Sequence, residues 1–310
     1  MNWQPSASLD VIRQRARVYR QIRTFFNTRG CLEVDTPVLM PTTGTDVNIA
    51  SFEVPHNECR LYLQTSPEYA MKRLLVAGSG SIFQICHAFR QGEAGRRHNP
   101  EFSLLEWYRV GYDYQRLMDE IELLITTLSL SRCDFKRLSY RELFRQTLKL
   151  EIDGIAIEAL RQRCEKLVPG TDSSELDIDQ CLDLLLAMAI APTLQGYLFV
   201  YDYPMSQAAL ARPSDRDASV AERFELFYDG LELANGFSEL TDASQQRARF
   251  EQDNRERTAR GLPQLEIDER LLAALESGME DCAGVALGLD RLLMVLLELD
   301  SIDQVLSFRD

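Results

Sequence analysis

The order of segments along the chain predicts an α+β fold in which an antiparallel sheet is flanked by helices. Three observations carry this expectation. Residues 82–90 and 101–110 read as strands joined by a polar, glycine-containing loop at 91–100. Residues 222–228 and 231–235 read as a second hairpin, because Asp229-Gly230 suits a two-residue turn in which both residues take positive φ. Helical segments fall between these strands without the repeating strand–helix–strand rhythm of a parallel sheet.

Each element has its own signal. Residues 10–29 place Ile12, Ala16, Tyr19, Ile22, Phe25 and Phe26 on one helical stripe, which Gly30 ends. Residues 31–34 form a short strand running into Thr36-Pro37. Ser66-Pro67-Glu68 reads as a helix start, with a serine cap, proline in the first position and an acid at the positive end. That helix runs through Met71 and Leu75 to Gly78. Residues 115–130 and 139–148 are helical, and 150–195 looks like a helical insertion. A strand at 197–201 precedes the second hairpin, and a helix at 242–260 presents its charges as a solvated face. A strand at 284–288 and a helix at 289–299 close the chain. No composition break or internal repeat appears, so residues 1–310 read as a single domain.

Composition narrows the function. The 310 residues are 45% hydrophobic, enough for a substantial core, and the net charge of −14 disfavours a broad nucleic-acid-binding surface. Seven scattered cysteines with no C-x-x-C pair, and three histidines, argue against a disulfide framework or a structural zinc site and fit a reducing cytoplasm. Cys86 and His87 are adjacent on a strand, so they face opposite ways and make a poor nucleophile–base pair. The first eight residues lack an apolar signal region. The longest apolar run, 184–191, is bounded by Asp183 and Pro192 and is far short of the roughly 20 residues that span a bilayer, so no membrane partner is expected.

No phosphate-binding loop or hydrolase elbow occurs, so any nucleotide must be held by side chains on the sheet. The 91–100 loop and its edges offer Arg90, Arg96, Arg97, His98 and Asn99. Arginine presents a fixed fork for phosphate or carboxylate, although the same residues also make an ordinary charged hairpin tip. In the second hairpin, Glu232 lies opposite Phe227, which makes Glu225 its diagonal neighbour on the same face. Two acids that close either share a cation such as Mg²⁺, whose ligands are oxygens, or form a solvated acidic ladder. Glu239 is a third acid just downstream.

The run FQICHAFRQGEAGRRHNPEFSLLEWYR (83–109) resembles motif 2 of the class II aminoacyl-tRNA synthetases, GVALGLDR (284–291) motif 3, and FFNTRGCLEVDTPVL (25–39) motif 1. With QTSPEYAMKRLL (64–75) and ELANGFSEL (232–240), the chain resembles the lysyl-tRNA synthetase catalytic core over nearly its whole length. The resemblance implies the class II catalytic fold and formation of an aminoacyl-adenylate from ATP. It gives Arg90 the α-phosphate and substrate carboxylate, and Phe102 the adenine, with Arg291 on the other side reaching the γ-phosphate. His98 and Asn99 would hold the triphosphate, and Gln91, Gly92, Leu233 and Gly288 would line the ATP site. Glu225 and Glu232 would hold Mg²⁺. Glu68, with Ser66 and Pro67, would receive the amino group near the substrate carboxylate, while Glu239, Tyr108 and Glu106 would bind the side-chain ammonium.

Two departures stand out. Arg90-Gln91-Gly92 replaces the usual Arg-x-Glu, with Glu93 one place late, and Ala286 stands where lysyl-tRNA synthetases have glycine. The motif 1 helix begins near Asp10, which leaves no room ahead of it for an anticodon-binding domain. In these respects the chain resembles the branch of the family that transfers (R)-β-lysine to a lysine ε-amino group of elongation factor P, so the expected acceptor is that protein and not tRNA. Ala286 is expected to favour β-lysine over lysine. A homodimer through motif 1, with Pro37 at the interface, is implied as well. A truncated synthetase charging tRNA and a non-catalytic regulatory paralogue are the alternative readings. Lys72, Arg73, Arg96 and Arg97 are expected to steer an acidic partner to the site.

Overall fold

Ser8 caps the first helix, α1 (Leu9–Asn27), by accepting a hydrogen bond from the Val11 amide at 3.2 Å, and Val18, Ile22, Phe25 and Phe26 form its buried stripe. The computed structural model describes residues 3–57, 59–130 and 132–309. In chain order there follow β1 (Leu32–Glu33), β2 (Leu39–Met40), β3 (Glu53–His56), β4 (Cys59–Leu63), α2 (Glu68–Val76), β5 (Ile82–Phe89), β6 (Glu101–Val110) and α3 (Tyr114–Ser129). Then come β7 (Phe135–Ser139), α4 (Tyr140–Leu148), α5 (Ile157–Leu167), α6 (Ile178–Leu185), β8 (Tyr197–Pro204), β9 (Val220–Tyr228) and β10 (Leu231–Ser238). The chain ends on α7 (Ala243–Ala259), α8 (Glu269–Glu276), β11 (Cys282–Gly288) and α9 (Leu289–Leu296). It folds into two compact units, Met1–Ser131 with Ser238–Asp310, and Arg132–Phe237.

In the first unit β5, β6 and β11 pair antiparallel, and β1 joins β5 in parallel. A separate antiparallel trio, β2-β4-β3, was not expected from the sequence; its strands are short and half exposed and carry little alternation. One face of the larger sheet is the core: Phe26 stacks on Phe83 at 4.8 Å and meets Trp107 at 5.1 Å, and the Trp107 indole donates to Glu120 on α3 at 3.1 Å. The other face carries alternate residues of β6, namely Phe102, Leu104, Glu106 and Tyr108. Gly288, Ala286 and Gly284 of β11 stand opposite the last three in register. Asp290, only 1% exposed, accepts from the Ser103 amide at 2.7 Å and from Arg15 at 2.6 Å, which fixes the start of α9 against β6.

In the second unit β7 pairs parallel to β8, and β8, β9 and β10 pair antiparallel. The insertion supplies α5, α6 and the turns at 186–193. Leu160, Cys164, Cys181, Leu182, Leu185 and Ile190 from these segments share one core with Tyr203 and Phe227. The β9–β10 hairpin turns at Asp229 and Gly230, with φ of 45° and 73°. A side chain at Gly230 would have its Cβ 2.1 Å from the carbonyl oxygen of Ala191, so glycine lets the hairpin tip seat on the end of the insertion.

Local differences from expectation have identifiable causes. The second helix starts at Glu68, with Pro67 itself in the cap position and no side-chain cap, while Ser66 Oγ accepts from the Glu68 amide at 3.4 Å. Strand β7 and helix α8 were not foreseen. The α7 helix is not charged on a solvated face alone. Gln246, Phe250, Asn254 and Arg257 are buried, Asn254 bonding both backbone groups of Leu265 and Arg257 the Pro263 carbonyl.

Candidate active site

Five of the expected substrate-binding residues converge in the first unit. Glu106 and Tyr108 stand on β6, Ala286 lies opposite Glu106 on β11, Glu68 opens α2, and Glu239 follows β10. The Tyr108 hydroxyl donates to Glu106 Oε1 at 2.6 Å, and the other Glu106 oxygen is buried without a hydrogen-bond partner. Burial, and then repulsion from Glu68, push the Glu106 carboxyl up to about 8, against the lowering effect of Tyr108. Ser66 and Pro67 sit at the entrance to α2, beside Glu68.

Lys72 lies at the centre of this group. Its side chain is 0% exposed, and its ammonium is 2.6 Å from Glu68 and 2.5 Å from Glu239. Burial alone would lower the lysine pKa, but the two carboxylates outweigh it and raise it. Burial raises Glu239 while Lys72 opposes that rise. The expectation that Lys72 steers an acidic partner is therefore corrected, since a buried, doubly paired ammonium offers no field at the surface. Arg96 and Arg97 are exposed. The sequence clue to Lys72 was its i, i+4 spacing from Glu68 on the same helix side as the buried Met71 and Leu75.

Gly284 was also missed as a functional position. A Cβ there would fall 2.3 Å from the Tyr108 ring and 2.4 Å from Glu239 Oε1. Only a glycine lets the tyrosine and the carboxylate close over β11.

Of the residues expected to hold ATP, Arg90, Gln91, Gly92, His98, Asn99, Phe102, Gly288 and Arg291 lie in the same unit, while Glu232 and Leu233 lie in the second. The β5–β6 hairpin places Arg90, Gln91, Gly92, His98 and Asn99 in its loop, and Phe102 just inside β6. The Arg90 guanidinium carbon lies 5.1 Å from the centroid of the Phe102 ring, and its Nε is buried without a hydrogen-bond partner. Glu93, one place late in sequence, still comes 3.5 Å from Arg90. Asn99 Nδ2 donates to the Glu101 carbonyl at 2.7 Å, which shapes the loop. Gly288 ends β11, and Arg291 Nε donates to the Arg97 carbonyl at 3.4 Å, tying α9 to the loop. Ala286 packs beside Phe102 against Cys86, Ala88 and Leu104. Cys86 is buried while His87 is exposed and pairs with Glu101, as their opposite facing requires.

In the second unit Glu232 lies opposite Phe227, and a bulge between Glu232 and Ala234 takes up Leu233. Glu225 accepts from Arg223 at 2.5 Å and from the Tyr203 hydroxyl at 2.7 Å. Burial raises the Glu225 carboxyl, Arg223 opposes this, and Glu232 adds to it by repulsion. The two acids therefore sense each other. Their oxygen-only chemistry fits a hard cation that draws its remaining ligands from phosphates and water. Among the described residues no cluster of three metal-ligating side chains occurs, so any ion here would depend on such outside ligands.

The family of class II tRNA synthetases (D, K and N) matches residues 1–310. The chain belongs to that family. It is 49% identical to the elongation factor P–(R)-β-lysine ligase of Klebsiella pneumoniae subsp. pneumoniae, with 99% of this chain and 97% of that protein covered. The proteins of the same name from Salmonella dublin and Salmonella paratyphi B are 48% identical over the same shares. No helix among the described residues is long and apolar enough to cross a membrane.

Proposed function

We propose that this protein activates the carboxylate of (R)-β-lysine with ATP and transfers the β-lysyl group to a lysine ε-amino group of elongation factor P. The observation that carries the reading is the acidic cluster of Glu68 with the buried Glu106 and Glu239, at the sheet face that also bears Phe102 and leads to Arg90. A pocket rich in carboxylates selects ammonium groups, and its neighbour offers a cationic fork for the carboxylate and phosphate. The kinship with elongation factor P–(R)-β-lysine ligases supports the choice of amino acid and acceptor.

In the first step a substrate carboxylate oxygen attacks the α-phosphorus and pyrophosphate leaves. The carboxylate is already a nucleophile, so no general base is required. Arg90 stabilises the charge that builds on the phosphoryl oxygens. Phe102 stacks on adenine, and Arg291, His98 and Asn99 bind the triphosphate. Glu225 and Glu232 would hold magnesium, which supplies charge neutralisation at the phosphates. In the second step the acceptor amine attacks the adenylate carbonyl carbon, AMP leaves, and the amine proton passes to solvent. Glu68 and Glu239 bind the two ammonium groups, and Ala286 fills space beside the reacting end of the substrate.

We place the enzyme in the cytoplasm as a homodimer. None of the seven cysteines is joined in a disulfide, and Leu32, Val38 and Leu39 expose apolar side chains around Pro37 in motif 1. ATP–pyrophosphate exchange with (R)-β-lysine, L-lysine and norleucine tests the first step. Exchange that is fastest with β-lysine and absent with norleucine is expected; no exchange with any of the three contradicts activation by this chain.

A further inference from the structure

The pocket holds three carboxylates, Glu68, Glu106 and Glu239, around one ammonium, that of Lys72. If every group were ionised, the pocket would be two positive charges short. Lys72, Glu106 and Glu239 are 0%, 2% and 1% exposed, and only Glu68, at 17%, reaches solvent, so bulk water does little for the two inner carboxylates. Two carboxylate oxygens, Glu106 Oε2 and Glu239 Oε1, are buried without a hydrogen-bond partner. Unpaired buried anions are too costly to persist; they take up protons or find cations.

Tyr108 donates to Glu106 from its own strand, Glu68 and Lys72 face it from α2, Glu239 from the segment after β10, and the Cys86 thiol from β5. The cation among them, Lys72, makes close ion pairs with Glu68 and Glu239 and lowers Glu106 only by its charge, so Glu106 is the carboxyl of the three that it does not contact in a close ion pair.

We propose that Lys72 is a positioning residue, an in-chain ammonium that holds Glu68 and Glu239 ready, and that a diamino acid binds by supplying the cations the pocket lacks, with the Glu106 proton released to solvent. This rests on the lysine-like substrate class assigned above and adds its charge mechanism. As a substrate ammonium arrives, the Glu106 O–H bond breaks, the proton passes to buffer and the carboxylate pairs with the ammonium. The chemistry selects two ammonium groups at the required separation and disfavours amino acids with one. The direction of the pH effect on stability follows. A carboxyl held above its unfolded range contributes stability that is fully present at low pH. That contribution is lost as pH rises through about 8 in the ligand-free protein, and bound ligand reverses the loss.

The test is titration calorimetry of the full chain with L-lysine and (R)-β-lysine at pH 7, in phosphate and in Tris, whose ionisation enthalpies differ. The buffer dependence of the heat counts protons exchanged. About one proton released per diamino acid bound is expected for the unmodified protein, and Glu106→Gln should abolish the release while still binding ligand. Lys72→Met should weaken binding at least tenfold and raise the number of protons released, because the uncompensated acids then hold more protons beforehand. A purely structural role for Lys72 would weaken binding without changing the count. Should Lys72→Met fail to fold, the unmodified protein and Glu106→Gln decide the matter. Binding with no proton exchange, or equal release from Glu106→Gln, overturns this proposal alone. Absence of binding by either diamino acid overturns the substrate reading and this proposal with it.

Discussion

Gly284→Ala is the smallest change that should damage the amino-acid pocket, and its effect can be worked from the structure. The added methyl would sit 2.3 Å and 2.5 Å from two Tyr108 ring carbons and 2.4 Å from Glu239 Oε1, whereas ordinary contact begins near 3.4 Å. Something must move by about 1 Å. Tyr108 lies opposite Gly284 in the ladder and is 2% exposed, and Glu239 is pinned by Lys72, so neither neighbour is a loose side-chain end. Overpacking of this kind costs about 1–3 kcal/mol of stability. A misplacement of ~1 Å in a binding group costs on the order of 100-fold in the chemical step. Pyrophosphate exchange at saturating ATP with varied lysine should therefore show kcat/KM reduced by roughly 100-fold, mostly through kcat, together with a lower Tm. A variant within twofold of the unmodified enzyme, with an unchanged Tm, would refute the close approach and the pocket built on it.

Arg90→Ala should reduce exchange on the order of 100-fold, because a charge-assisted contact to the reacting phosphate is lost; near-normal exchange would remove Arg90 from the reaction. Glu225→Gln or Glu232→Gln should raise the ATP and magnesium requirement by about tenfold or more while leaving amino-acid binding, followed by calorimetry, nearly intact. Equal loss of both would point to collapse of the hairpin instead. Ala286→Gly should raise activation of L-lysine relative to (R)-β-lysine, since the methyl stands opposite Glu106 in the ladder, and an unaltered ratio of kcat/KM would place selection elsewhere.

The larger elements were legible in the sequence because their signals are local. Apolar periodicity marked α1, Asp229-Gly230 fixed the register that sets Glu232 opposite Phe227, the polar loop at 91–100 marked β5 and β6 on either side of it, and flanking glycines marked β11. What escaped was set by tertiary packing. The strands β2, β3 and β4 are too short and too exposed to alternate clearly, and α7 buries Asn254 and Arg257, whose partners are backbone groups several residues away. The expected site residues could be named from motif resemblance, but their electrostatics could not. A lysine in a sequence reads as a surface cation; only the fold shows Lys72 closed between Glu68 and Glu239. Likewise Gly284 looks like an ordinary strand boundary until Tyr108 and Glu239 are seen to meet over it. Glu93 appeared displaced by one position, yet the loop brings it to Arg90.

The central claim is that the activated β-lysyl group is destined for a protein lysine. With 48 acidic against 34 basic residues, the net charge of −14 opposes the phosphate contacts that dominate binding to nucleic acid. Intact-mass analysis of elongation factor P after incubation with the enzyme, ATP, magnesium and (R)-β-lysine tests this most directly, run beside tRNA acylation under the same conditions. One β-lysyl increment on the factor, lost when the acceptor lysine is replaced, and no charged tRNA are expected. Efficient tRNA charging with an unmodified factor would contradict it.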